Sequence, residues 1–304
     1  MRVLLIFIDG FGLGPADPAI NPLVRFPGKF FPSLLGGPLS RDIASLRSDR
    51  LSFAPIDATL GVAGLPQSAT GQTSLFTGIN ASKIMGRHVQ AFPGPQLSAI
   101  IGESGIMGRL KPQGFAVTSA NMYTPNYMDQ VAARKRRHSA TTLMILAADE
   151  RLRTLPDMLA GRAVYQDITN QMLPEFSIEA PLISPTEAGH RLVNIAADHH
   201  FTLFEYFQTD RWGHKQNWEK AEAVLRVLDE FLCAVYQAAS SDLLVVVTSD
   251  HGNFEDFSIR THTLNPVPCL IFGPQASTVG ESVYDLTGLA PAMISYIKRG
   301  ALHE

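Results

Sequence analysis

The stretch "LLVVVTSDHGN", Leu243 to Asn253, narrows most what this chain can fold into. An unbroken apolar run of this kind reads as a strand buried on both faces, and such strands belong to parallel sheets covered by helices. Similar runs recur at Val3–Ile8, Phe115–Ser119, Phe201–Phe207 and Pro268–Phe272. Helical patterns lie between some of them. "ISPTEAGHRLVNIAADHH" begins with Ser184 as a cap, Pro185 at the first helical position and Glu187 three residues past the cap. From Trp218 to Ala239, apolar residues recur at Ala221, Val224, Leu225, Leu228, Leu232 and Val235, one face of a long helix. "DLTGLAPAMISYIKRG" predicts a last helix ending at Gly300. Strands alternating with helices predict an α/β fold, a doubly wound and mostly parallel sheet flanked by helices.

The stretch 123–182 breaks this alternation. It carries the basic run "ARKRRH", Ala133 to His138, and short mixed pieces. It reads as a small inserted cap on a core built from 1–122 and 183–304. The 304 residues suffice for one such core. A net charge of −3 gives no whole-protein attraction to nucleic acid or to an anionic membrane, so partners must come from a site. The apolar run in "MRVLLIFIDG" is too short for a signal peptide and reads as a first strand. No run approaches the roughly 20 apolar residues of a membrane span. Cys233 and Cys269 fall in a predicted helix and a predicted strand, which argues against a disulfide framework or a cysteine zinc site. A cytoplasmic location is the expectation.

In an open parallel sheet, ligands bind beyond the carboxyl ends of the strands. There the first strand delivers Asp9. "FTLFEYFQT" delivers Asp210 and, four residues on, His214; "LLVVVTS" delivers Asp250 and His251; "RTHTLNPVP" sets His262 just ahead of the next strand. Each alone has an ordinary reading as a turn, cap or surface residue. Their convergence on one edge points to metal. Three carboxylates and three imidazoles without thiolate suit Zn²⁺ or Mn²⁺, and six ligands are too many for one open catalytic ion. Two ions about 3.5–4 Å apart clamp the attacking and leaving oxygens of an in-line displacement. Ser68, in "GLPQSATGQTSLFTG", precedes a helix-like run. It suits a nucleophile activated by metal, and it equally suits a plain helix cap.

At these residues the chain resembles the alkaline phosphatase superfamily, in the metalloenzyme branch that contains cofactor-independent phosphoglycerate mutase and phosphopentomutase. The segments that carry the resemblance are "FIDGFG", "GLPQSATGQTSLFTG", "TDRWGH", and "SDHGN" followed by "THTLNPVP". The resemblance implies an alkaline-phosphatase-like core and two divalent ions, Mn²⁺ or Zn²⁺. One would be held by Asp210, His214 and His262, the other by Asp9, Asp250, His251 and Ser68. It also implies that Ser68 is transiently phosphorylated. The branch carries S/T-x-x-G-H at this point, whereas Gln72 stands here in place of the histidine.

What accepts the phosphoryl group from Ser68 then decides the reaction. Water makes a phosphatase or phosphodiesterase acting on a small-molecule phosphoester, and the small cap favours this. A second substrate hydroxyl makes a phosphomutase, of phosphoglycerate or phosphopentose type. Arg134, Arg136 and Arg137, and Arg87 in "IMGRH", are candidates for gripping substrate, against the plainer reading of a solvated charged face. A non-catalytic binding protein is disfavoured because all seven ligand and nucleophile positions are filled. A sulfatase is disfavoured because Ser68 is not followed by C/S-x-P-x-R chemistry. Gly10, Gly12 and Gly14 do not make the dinucleotide pattern G-x-G-x-x-G.

Overall fold

The computed structural model describes residues 1–301 of the chain. Strands form at β1 (Arg2–Ile8), β2 (Leu46–Arg47), β3 (Leu51–Ile56), β4 (Val117–Ser119), β5 (Phe201–Tyr206), β6 (Leu243–Thr248) and β7 (Val267–Phe272). They make one seven-stranded sheet in the order β2-β3-β7-β6-β1-β5-β4. β1 lies between β5 and β6 and is parallel to both. Its side chains feed two cores in turn. Val3, Leu5 and Phe7 join Leu203, Leu244 and Val246 on one face; Leu4, Ile6 and Ile8 join Phe204, Val245 and Val247 on the other. Because both faces are covered, the apolar runs need no polar alternation. Each such side chain contributes roughly 1.5–3 kcal/mol by leaving water.

The helices that cover these faces and frame the strand ends are α1 (Ser68–Thr77), α2 (Pro125–Ala132), α3 (Ala140–Ala147), α4 (Pro185–Ala197), α5 (Gln208–Gly213), α6 (Trp218–Ala238) and α7 (Leu289–Ala301). Leu75 and Phe76 of α1, Met144 and Ile145 of α3, and Met293 and Ile297 of α7 pack into the first core. Leu192 and Ala196 of α4, and Leu225, Leu228, Leu232 and Val235 of α6, pack into the second. The predicted cap of α4 forms, with Ser184 Oγ accepting from Glu187 N at 3.0 Å. The Glu187 carboxylate pairs with Arg191 one turn along.

Two expectations need correction. The run at Pro268–Phe272 is a strand, but β7 is antiparallel to β6 rather than parallel. A run buried on both faces carries no mark of direction. The second is an addition: β3 joins the sheet antiparallel to β7, and β2 pairs with β3 at its edge. The sequence LSFAPI hides β3 because proline argues against a strand. Pro55 is tolerated since it lies opposite Pro268, beyond the short stretch, Phe53 and Ser52, that pairs with β2.

Within 123–182, α3 belongs to the main core, whereas Met158, Ala163, Tyr165, Leu173 and Ile178 gather with Met122 in a small cluster of their own. Arg153 fastens this cluster to β4 by donating to Ser119 O and Thr118 Oγ1, both at 2.8 Å. Among the described residues no helix is long and apolar enough to cross a membrane.

Candidate metal centre

β1, β5 and β6 end side by side, and the candidate ligands follow directly. Asp9 is the residue after β1, Asp210 stands in the first turn of α5, and Asp250 and His251 follow the end of β6 at Thr248. The pair has left regular strand geometry, so neighbouring side chains are no longer forced to opposite faces. The antiparallel direction of β7 matters here. It brings the start of β7, and with it the loop carrying His262, to the edge where the parallel strands end.

The side chains converge. His251 Nε2 lies 3.0 Å from Ser68 Oγ, 3.4 Å from Asp9 Oδ1 and 3.5 Å from Asp250 Oδ2. Asp210 lies 3.6 Å from His262 Nε2 through Oδ1 and 3.5 Å from His214 Nε2 through Oδ2. Asp9, Asp250 and His251 form one compact donor group, and Asp210, His251 and His262 another. His251 belongs to both, and its ring stacks on that of His262 at 3.7 Å. His214 sits at the outer side, exposed, one helical turn from Asp210.

The protonation pattern tests whether a cation fits. His262 Nδ1 faces Pro66 O at 2.8 Å and His214 Nδ1 faces Arg260 O at 3.1 Å. A carbonyl only accepts, so Nδ1 carries a proton in both rings. Burial holds His251 below the ordinary imidazole value, and burial with the neighbouring His251 takes His262 down to about 4. The neutral His262 ring therefore turns its Nε2 lone pair toward Asp210 Oδ1, a contact that a cation between them would make favourable. Donors about 2.1 Å from a tetrahedrally coordinated ion lie about 3.4 Å from each other, close to the separations observed. Asp9 Oδ1 is buried and accepts no hydrogen bond. Burial, then the nearby Asp250, holds the Asp9 carboxyl well above its usual range, and burial pushes Asp250 up to about 7. Divalent metal suits every one of these features.

Residues that motif reading left unassigned complete the surroundings. Gln72 Nε2 donates to Asp250 Oδ2 at 3.1 Å, so the residue that replaces the expected histidine orients a candidate ligand. Asn253, the last letter of "SDHGN", donates to Asp210 Oδ1 at 2.6 Å. Glu255, two residues beyond that motif, is fully buried beneath the loops. A cavity of about 390 Å³ opens from Ser68, Asp9 and Asp210 and is walled by Tyr123, Tyr127, Glu205, Arg136, Arg137 and Arg211 among others. Arg136 lies over the ring of Tyr127, 5.0 Å from its centroid. Burial pushes Glu205 up to about 7. Arg87 and Arg134 are exposed and do not line this cavity. Arg211 also lines it, a cation that no basic run marks because it stands alone inside "TDRWGH".

The fold and the donor set define an alkaline-phosphatase-like metalloenzyme. The family model "Metalloenzyme superfamily" matches residues 125–298, more than half of the chain, and the chain belongs to that family. Over 138 residues, 41% of this chain, it is 29% identical to a 2,3-bisphosphoglycerate-independent phosphoglycerate mutase of Natronomonas pharaonis; the match spans 27% of that enzyme's length. In fold it is similar to the PH0037 protein of Pyrococcus horikoshii, with a TM-score of 0.60 at 13% identity over 98% of this chain and 97% of that one. It is likewise similar to the alkaline phosphatase of the Antarctic bacterium TAB5, with a TM-score of 0.54 at 12% identity over 98% of both chains.

Proposed function

We propose that this chain is a divalent-metal-dependent phosphohydrolase that passes the phosphoryl group of a small phosphoester through Ser68. The observation that carries this is the position of Ser68. It opens α1, its Oγ is 3.0 Å from His251 Nε2, and it lines the cavity together with Asp9 and Asp210. Asp210, His214 and His262 would hold one ion, and Asp9, Asp250, His251 and Ser68 a second. Zinc or manganese ions there would supply the positive charge that keeps the serine hydroxyl ionised and offsets charge on the phosphoryl oxygens.

The chain's own residues do the rest. Ser68 Oγ attacks phosphorus in line, the bond to the leaving alcohol breaks, and a phosphoserine remains. The N-terminal end of α1 favours the anionic phosphoryl group. Gln72 fixes Asp250, and Asn253 fixes Asp210, so neither carboxylate rotates away as charge moves. Water then releases the phosphoryl group and restores Ser68. Arg136 and Arg137, exposed at the cavity wall, leave a path for that water and can meet a second anionic group on the substrate.

A phosphomutase is the alternative, favoured by the mutase name of the sequence relative. Purified protein with Mn²⁺ or Zn²⁺ should hydrolyse an aryl phosphate and lose that activity with chelator. Ser68→Ala should lower turnover by on the order of 10³-fold or more. A fully active Ser68→Ala protein would rule out the covalent route. Phosphoglycerates and pentose phosphates separate the two readings: inorganic phosphate marks the hydrolase, and an isomer marks the mutase.

A further inference from the structure

One buried acid beside the centre takes no part in that reaction. Glu255 Oε2 accepts from Gly12 N at 3.0 Å and Asn253 N at 2.8 Å. Its Oε1 accepts from Asn265 Nδ2 at 3.0 Å and from the Thr263 hydroxyl. These four donors come from two loops: Gly12 follows β1, and Asn253, Thr263 and Asn265 stand near the two ends of the long connection from β6 to β7. The loop after β1 begins with Asp9, and the β6–β7 connection carries Asp250 and His251 at its start and His262 towards its end. A carboxylate has two oxygens and about four acceptor positions, so one side chain can join the β1 loop to both ends of the β6–β7 connection at once.

The glycines of the site make room for it. A Cβ on Gly12 would fall 2.5 Å from the Glu255 carboxyl carbon, and a Cβ on Gly252 would collide with both Glu255 Oε1 and Thr263 Oγ1. Gly12 and Gly14 of "GFGLG" and the glycine of "SDHGN" are thereby tied to the same residue. Backbone bonds from Thr263 N to Gly252 O and from Phe254 N to Gly10 O run alongside it.

We infer that Glu255 is a positioning residue, which ties the β1 loop and the two ends of the β6–β7 loop together at the spacing where their carboxylates and imidazoles take divalent ions. This rests on the metal-centre reading of the site and not on the reaction carried out there.

Metal binding is therefore the readout. Mn²⁺ is titrated calorimetrically into chelator-stripped full-length protein, with melting temperature in chelator measured in parallel. Glu255→Gln sets an amide N–H₂ where a donor now points and should weaken Mn²⁺ binding about ten- to a hundredfold. Thr263→Val removes one donor from the His262 loop and should weaken binding severalfold. Asp157→Asn is the control: this buried carboxylate pairs with Arg151 and caps Thr154 within 123–182, so its loss should lower the melting temperature and leave Mn²⁺ affinity unchanged. Wild-type affinity in both Glu255→Gln and Thr263→Val would overturn the inference. If Glu255→Gln does not fold, Thr263→Val decides alone. Wild-type protein that binds no Mn²⁺ also overturns it, whereas protein that binds Mn²⁺ and hydrolyses nothing refutes only the phosphohydrolase.

Discussion

Asp250 should destabilise the metal-free protein as the pH rises, and replacing it by asparagine should reverse that. Its side chain is fully buried, and burial, with added repulsion from Asp210 and against the Gln72 hydrogen bond, pushes its carboxyl from 3.8 up to about 7. A folded value above the unfolded one means that the fold favours the neutral acid. Its contribution is complete below about pH 3.8 and is lost as the pH rises through about 7. At 1.36 kcal/mol for each unit, the full loss is roughly 4 kcal/mol. Asparagine is neutral throughout, and Gln72 can turn its amide to present oxygen to it. In chelator, Asp250→Asn should therefore gain roughly 2 kcal/mol at about pH 5 and roughly 4 kcal/mol at about pH 8. The larger gain corresponds to a melting temperature higher by on the order of 5–10 °C. Saturating Mn²⁺ should reverse the order, since the variant lacks a donor oxygen. Urea unfolding across this pH range, with and without metal, measures both effects. A variant no more stable than wild type at about pH 8 in chelator would refute the reasoning.

Other consequences are simpler to test. Arg136→Ala should raise KM roughly tenfold for a phosphoester carrying a second anionic group and leave kcat unchanged, as steady-state kinetics on paired substrates would report. Ser184→Ala removes the acceptor at the start of α4 and should cost about 1 kcal/mol in urea unfolding, with activity retained. Leu5→Ala leaves a cavity in the fully buried middle of β1 and should cost roughly 2–5 kcal/mol, read as a lower denaturant midpoint.

Much of this was legible in the chain before its fold was known. Buried strands declare themselves when both faces are covered, which is why Leu243–Thr248 and the start of β1 were plain. The cap at Ser184 and the apolar face of α6 follow from local chemistry and periodicity. Strand direction was not legible. Read as a parallel strand, β7 would have carried His262 away from the site, and only its antiparallel course brings this residue to the edge where Asp9 and Asp250 emerge. Proline concealed β3. The Glu255 contacts were hidden for another reason: they join residues 12, 253, 263 and 265 in space, and no spacing along the chain encodes that meeting. Likewise, nothing in a run of basic residues says which of them turn inward. Arg136 and Arg137 do, and Arg134 does not.

The central place of β1 sets the order in which the protein can be made. It leaves the ribosome well before either neighbour, for Val3 pairs with Phe201 and Leu244, about 200 and 240 residues later. At synthesis rates of about 5–20 residues per second, this hydrophobic strand waits roughly 10–40 s for its first neighbour. Asp9 is thus available about 250 residues before His262. Tight metal binding by the nascent chain would report that the β6–β7 loop has been made, and the interval before it is when chaperone protection of β1 matters most.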